Sequence, residues 1–187
     1  AAVRGSATFN FEPADFFNRS VKADYLASTG GSRSAGTPVE LSFSYQRRQS
    51  VTRAIQFDLY GVLGAPTTTW LPVFPSAAGF GAVMKLAGAG NVPERWFSQI
   101  PVIIGGVGAH KQLTNRFLPA LNALARTGLP SPEHVPTSDP TPVVEWLRNA
   151  VERTGRATIT GYASSITAAA RHATENGIDL TGAVAFP

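Results

Sequence analysis

An α/β fold with a largely parallel sheet flanked by helices is the architecture this sequence predicts. Three observations point there. Helix and strand signals alternate along the chain, the pattern of layered α/β proteins. The composition, 43% hydrophobic and 15% charged, is that of a globular protein with a core. At 187 residues the chain is long enough for one sizeable domain and too short for two ordinary ones. Residues 1–187 are therefore expected to form a single α/β domain.

Tyr25-Leu26-Ala27 reads as a strand, and the alternating run from Val39 to Tyr45 reads as a second strand with one buried face. Gln46 to Leu63 is expected to be helical, with Val51, Ile55, Leu59 and Val62 sharing the buried face and Gly61 and Gly64 weakening its end. Thr67 to Phe74 follows as a strand, Pro72 placing it near an edge or a bend. Gly79 to Ala87 is a short helix stopped by Gly88-Ala89-Gly90, and Trp96-Phe97 and Val102-Ile103-Ile104 are strand candidates.

Gln112 to Arg126 carries Leu113, Phe117, Leu121 and Leu124 on one helical stripe. The five prolines between Gly128 and Pro142 predict an irregular connection. Thr141 as N-cap and Pro142 in the first turn then open a helix over Val143 to Arg153. Thr158-Ile159-Thr160 is a short strand, and Ser164 to Asn176 a helix closed by Gly177. Gly182 to Phe186 reads as a strand buried on both faces.

Composition narrows the chemistry. The chain has no cysteine, which excludes disulfides, thiolate metal sites and a cysteine nucleophile within it. His110, His134 and His172 stand far apart without ligand spacing, so no metal site is expected. The net charge of +4 comes from scattered residues, thirteen Arg and three Lys, with no run longer than Arg47-Arg48. A nucleic-acid partner would call for a basic patch; attraction to an anionic small molecule accounts for this balance as well, and solubility alone accounts for it better. No segment approaches the ~20 apolar residues of a membrane span. Arg4, Glu12 and Asp15 also interrupt any signal-peptide core, so no membrane association and a cytoplasmic location are expected. The start at Ala1 and the apolar run ending at Pro187 suggest a piece of a longer polypeptide.

Two glycine-rich segments compete as phosphate sites. Ile103-Ile104-Gly105-Gly106-Val107-Gly108 places Lys111 where a dinucleotide fingerprint needs its third glycine, and no acidic residue follows at ribose distance. It reads as a tight turn into a helix. Ser28-Thr29-Gly30-Gly31-Ser32-Arg33-Ser34-Ala35-Gly36-Thr37 lacks the G-K-[ST] ending of a P-loop but is dense in donors. Glycine lets the backbone approach phosphate oxygens closely, while hydroxyls and Arg33 add hydrogen bonds and charge. A solvated hairpin loop is the other reading of the same residues.

The order of residues, STGGSRSAGTPVELSFS, resembles the phosphate-binding loop of the adenylate-forming ligases, the AMP-forming acyl-CoA synthetase superfamily. The likeness is to its phenylacetate–CoA ligase branch. Gly36-Thr37-Pro38 supplies the Gly-x-Pro ending and Val39 to Ser44 the following strand. Downstream, Trp70 to Pro75 with Ala78-Gly79-Phe80-Gly81 resembles the strand and turn beside the family's acyl pocket. Thr158 to Ser165 resembles its strand-turn-helix, with Gly161 and Tyr162 at the turn. Gly182 to Pro187 is similar to the strand leading into the adenine-binding segment.

The resemblance implies phosphate binding by Ser28, Thr29, Gly30, Gly31, Ser32, Arg33, Ser34, Gly36 and Thr37. It implies an acyl pocket of Ala78, Gly79, Phe80, Gly81, Gly161 and Tyr162. It further implies ATP-dependent activation of a carboxylic acid as an acyl-adenylate, with ATP, Mg and coenzyme A as cofactors or co-substrates. The partners are then a small-molecule carboxylic acid and a nucleotide, with a homo-oligomer or the remainder of a parent chain left open. Val39 stands where the family often has lysine, and the loop carries Arg33 and an extra residue or two. The family's magnesium-binding glutamate, ribose-binding aspartate and catalytic lysine have no counterpart in these 187 residues. No catalytic residue or metal ligand is therefore assigned, and the chain alone is expected to be inactive. The alternative is a non-catalytic α/β binding or assembly module, either a degenerate ligase domain or an unrelated Rossmann-like domain.

The remaining chemistry-bearing residues have plain roles. His110 is expected at a helix start on the surface, and His172 in solvent between Arg171 and Glu175. Trp70, Trp96 and Trp146 are expected as core anchors. Ser164 and Ser165 lack a nucleophile elbow and are expected to cap a helix.

Overall fold

β-branched and aromatic residues gather in short runs separated by helical segments, and four such runs pair with the strand Pro132–His134 into one parallel sheet. The computed structural model describes residues 2–20, 22–28, 38–73, 76, 78–101 and 128–187. Two antiparallel hairpins come first. Strands β1 (Ala2–Arg4) and β2 (Ala7–Phe9) pair through a turn with Gly5 at φ 62°. A single 3-10 turn, Pro13–Phe16, leads on to β3 (Tyr25–Ser28) and β4 (Pro38–Leu41). These two strands pair from Tyr25↔Leu41 to Ser28↔Pro38.

Helix α1 (Phe43–Leu59) begins directly after β4. Then follow β5 (Thr67–Trp70), α2 (Ala78–Gly88), β6 (Arg95–Ser98) and β7 (Pro132–His134). The chain ends with α3 (Thr141–Thr154), β8 (Ala157–Gly161), α4 (Ala163–Glu175) and β9 (Ala183–Phe186). The sheet order is β7-β6-β5-β8-β9 and every pairing in it is parallel. The predicted α/β class with a parallel sheet is thus present. Among the described residues no helix is long and apolar enough to cross a membrane.

The two sheet faces are covered by different helices, because alternate strand residues point opposite ways. Trp70, Phe97 and Ile159 pack with Val143, Val144, Leu147 and Ala150 of α3 and Ala169 and Ala173 of α4. On the other face Phe186 packs with Phe57 of α1 and Leu86 of α2, and Trp96 with Val73 and Val83. Both buried indoles satisfy their N–H. Trp70 Nε1 donates to the Val135 carbonyl at 2.9 Å and Trp96 Nε1 to the Leu71 carbonyl at 2.9 Å. Trp146 packs half-buried against the first of these clusters.

Several elements differ from the sequence expectation. The strand after Pro38 stops at Leu41. Ser42 is instead the N-cap of α1, its Oγ accepting from the Tyr45 N–H at 3.2 Å, so Phe43 to Tyr45 are helical. Of the stripe predicted for α1, Val62 is fully buried just past the helix, but Val51, Ile55 and Leu59 are 61%, 56% and 78% exposed, while Gln46, Ser50 and Phe57 are buried. Fit to the neighbour decides this. α2 presents Gly81 and Gly88 to α1, and the space above them admits the slim Ser50 and the Gln46 amide. The Ser50 hydroxyl returns to the Gln46 carbonyl at 3.0 Å, so its burial leaves no orphan donor. Val51→Thr, Ile55→Thr and Leu59→Gln should each change stability by no more than about 0.5 kcal/mol, measured by urea unfolding. A buried stripe would lose several times that.

β5 is the central strand, not an edge, and it ends at Trp70, so Pro72 lies beyond it. The proline-rich connection contains β7, an edge strand that opens on Pro132, where a missing N–H costs no ladder bond. Thr141 is the first residue of α3 rather than its cap. Pro140 stands at the N-cap, and Thr141 Oγ1 lies 3.3 Å from His172 Nε2, which leaves His172 half-buried rather than solvated. Asn176 is the C-cap of α4, followed by Gly177 at φ 63°. β9 lies in the sheet, but at its edge, with Ala185 exposed. The expected elements over Val102–Ile104, Gly105–Gly108 and Gln112–Arg126 fall outside the described residues.

Candidate functional site at the strand reversal

The chain leaves β5 toward α2 on one face of the sheet and leaves β8 toward α4 on the other. Strand order reverses between these two neighbours, which opens a crevice at their carboxyl ends, the usual ligand position in open parallel sheets. Its floor is the exit of β5. The Leu71 N–H still reaches the Phe97 carbonyl at 3.0 Å, so the ladder runs one residue past the strand.

α2 closes tightly on one side of this exit. The Gly79 N–H donates to the Pro72 carbonyl at 3.2 Å. A Cβ on Gly79 would lie 2.6 Å from that oxygen and 2.7 Å from the Trp96 ring, so only glycine lets the first turn of α2 sit here. On the other side Gly161 stands opposite Trp70 in the β5–β8 ladder. Its absent Cβ would approach the Trp70 carbonyl to 3.1 Å. Tyr162, 44% exposed, is the N-cap of α4 and makes no side-chain cap bond. The first N–H groups of α4 therefore have no side-chain acceptor from their cap residue, and the positive end of the helix dipole borders the crevice.

Gln99, just past β6, spans the gap. Its Nε2 donates to the Trp70 carbonyl at 2.6 Å and to Ser165 Oγ at 3.0 Å. Gln99 Oε1 is buried and accepts no hydrogen bond among the described residues. Ser165, 1% exposed, is thus a buried acceptor inside the first turn of α4 rather than its cap. One amide links three elements, β6, β5 and α4, which fixes the crevice walls relative to one another.

Of the residues expected at the acyl pocket, Gly79 lies against the Pro72 carbonyl just past β5 and Gly161 against the Trp70 carbonyl at its end. Ala78 precedes Gly79 as the first residue of α2, and Tyr162 follows Gly161, the last residue of β8, as the N-cap of α4. Phe80 is half-buried against the Val73, Val83 and Trp96 cluster. Gly81 instead faces α1, with Gln46 Nε2 3.2 Å from where its Cβ would be. Of the predicted phosphate loop, Ser28 ends β3 directly opposite Pro38. Thr29, Gly30, Gly31, Ser32, Arg33, Ser34, Gly36 and Thr37 lie outside the described residues, as does His110.

The base of that hairpin is anchored. Asp24 Oδ2 accepts from the Phe43 N–H at 2.7 Å, placing a carboxylate at the N-terminus of α1. A cavity of about 330 Å³ opens beside it, lined by Asn18, Glu40, Ser42, Tyr45 and Arg48 among others. No family model, no curated protein and no solved structure matches the chain. Among the described residues no group of three or more His, Asp or Glu side chains is placed to hold a metal ion. Sequence reasoning missed Gln99 and gave Ser165 only a capping role. Their meeting is set by topology, and no local motif announces it.

Proposed function

We propose that this chain carries the acid-binding face and phosphate loop of an adenylate-forming ligase, one that activates a carboxylic acid with ATP as an acyl-adenylate. Thioester formation on coenzyme A would follow, in the cytoplasm where both co-substrates are held. The observation that carries this reading is the convergence of Gly79 and Gly161 on the β5 exit, beside the uncapped N-terminus of α4.

In such a reaction a carboxylate oxygen attacks the α-phosphorus of ATP, and pyrophosphate leaves. Both reactants are anionic, so the site must offset their repulsion with donors and cations. The N–H groups at the start of α4 suit the acid's carboxylate, and the glycines leave room for its acyl group. The hairpin closed by Ser28↔Pro38 joins the two ends of the segment whose hydroxyls, backbone N–H groups and Arg33 would hold phosphate. Magnesium would add positive charge, but the described residues present no donor set for it.

Binding tests the reading on the 187-residue chain itself. Calorimetric titration with ATP or pyrophosphate should give binding that Arg33→Ala weakens by about 1.5–3 kcal/mol, roughly 10- to 150-fold. A β-branched residue at Gly30 or Gly31 should also weaken it, by blocking close backbone approach. The chain alone should give no ATP–pyrophosphate exchange. Exchange should appear in a polypeptide that also carries the magnesium-binding glutamate and catalytic lysine, and fall with Arg33→Ala. Unchanged phosphate affinity in the Arg33 variant, or robust exchange by the chain alone, would overturn the assignment.

A further inference from the structure

Away from the crevice, α1 exposes an apolar ridge on the side where a surface helix is normally polar. At ~3.6 residues per turn, the buried Gln46, Ser50 and Phe57 share one side of α1, and Val51, Ile55 and Leu59 share the opposite side. These last three are each more than half exposed, and their spacing of four makes them one continuous row. Among the described residues, seven of the thirteen exposed large hydrophobic side chains lie between Phe43 and Leu63. The apolar exposure is therefore gathered on one helix, which marks a contact surface rather than ordinary scatter.

The charges along this ridge are separated by sign. Arg48 lies on it about one turn before Val51, with Arg47 beside it, and Asp58 borders its other end. All three side chains are exposed. None joins an ion pair among the described residues, whose pairs are Arg95 with Glu133, Arg148 with Glu152 and Arg153 with Glu94. Asp58 also stands in the last turn, where the helix dipole disfavours an anion, so it does not serve the stability of its own helix. A ridge positive at one end and negative at the other is complementary to itself turned end for end. The midpoint of Arg48 and Asp58 is Arg53, and the middle of the apolar row is Ile55. The two centres differ by about 3 Å of helix rise, a gap the long arginine side chains span.

We propose that the outer face of α1 binds a second copy of this chain, the two helices lying antiparallel about a two-fold axis that crosses α1 between Arg53 and Ile55. Val51 of one copy then packs between Ile55 and Leu59 of the other, and Asp58 of each meets the Arg47-Arg48 pair of its partner. Such an interface uses the same patch on both copies, as two-fold symmetry requires. Parallel pairing is disfavoured, because it would set arginine against arginine and aspartate against aspartate. Apolar burial supplies the affinity, while the exposed ion pairs set direction and register. Three apolar side chains from each copy make a small contact, so the dimer belongs to the weak, reversible class below ~1,200 Å² of buried surface.

Sedimentation velocity of the full chain over a concentration series should show monomer passing to dimer and no larger species, because a two-fold contact closes on itself. Ile55→Thr combined with Leu59→Gln should weaken dimerisation at least ~10-fold, while the dilute variant still unfolds cooperatively in urea. Asp58→Lys suits the helix dipole, so the variant should fold, yet it should dimerise less. Adding Arg47→Glu and Arg48→Glu to it should restore the dimer. Direction is read by cross-linking, since the chain has no cysteine of its own. Thr52→Cys lies about two residues from the axis, and a short bis-maleimide should join it to its copy. Ser44→Cys lies about ten residues away, roughly 30 Å from its copy, and should stay unlinked. Equal cross-linking at both positions overturns the antiparallel pairing. A dimer indifferent to the Ile55 and Leu59 changes overturns the surface. A chain that stays monomeric at every concentration overturns the proposal outright, and a large stability loss in the Ile55 and Leu59 variant would then show that another part of the chain covers the ridge.

Discussion

Gly79→Ala should be among the most damaging single-methyl additions in this domain, costing about 3 kcal/mol at the upper end of overpacking penalties. The new Cβ would meet the Pro72 carbonyl at 2.6 Å and the Trp96 ring at 2.7 Å. Neither contact has an easy escape. Pro72 O is backbone and accepts the Gly79 N–H itself, while Trp96 is buried with its Nε1 committed to the Leu71 carbonyl. For a domain of this size, ~1 kcal/mol corresponds to roughly 2–4 °C in Tm, so a fall of about 6–12 °C is expected by calorimetry. Gly81→Ala is the control. Its nearest neighbour is the flexible end of Gln46 at 3.2 Å, and the gain in helix propensity, ~1 kcal/mol, offsets that contact. Equal losses in the two variants would contradict the packing described for the first turn of α2.

Asn91 is the second position of large effect. It is 4% exposed and joins two loops that sequence holds far apart. Its Oδ1 accepts from the Gly64 N–H at 2.9 Å. Its Nδ2 donates to the Ala65 carbonyl at 3.1 Å, to Thr67 Oγ1 at 3.2 Å and, more weakly, to the Val62 carbonyl at 3.4 Å. Asn91→Ala removes the acceptor of the Gly64 N–H, while the Val62 and Ala65 carbonyls and Thr67 Oγ1 keep other donors, so a loss of about 1–3 kcal/mol is expected in urea unfolding. Asn91→Asp should cost more at neutral pH, because a carboxylate would confront carbonyl oxygens. That environment raises the folded pKa of the new Asp above its unfolded value of about 3.9. The folded state then binds the extra proton, so the deficit against wild type should shrink as pH falls from 7 toward 4. A deficit that grows on acidification would show that Asn91 does not donate to those carbonyls.

The parallel sheet was legible because each strand–helix alternation is a local pattern, and β6, β8, α2 and α4 lie close to their expected positions. The failures have physical causes. β7 was hidden by prolines that an edge strand tolerates, and β1 and β2 are three-residue strands too short to show a period. The buried face of α1 could not be read from apolarity, since Gly81 and Gly88 of its neighbour admit the polar Gln46 and Ser50 beside Phe57 there. At the candidate site the glycines at 79 and 161 were visible as turn residues. The Gln99 bridge was not, because it joins residues 29 and 66 positions apart in sequence.

The central place of β5 has a consequence for how the chain assembles. In the sheet the earliest strand is the innermost, so β6 can join it at once, after one short helical crossover. β8 must instead return to the opposite flank, where Thr158 meets Thr67 across 91 residues. Closing that loop is the large entropic step, and nothing rewards it until β8 is seated. A newly made chain should therefore hold a half-sheet around β5 and β6 with the other flank bare. Docking of β8, with α4 and β9 behind it, then completes the crevice walls and the fold in one late event.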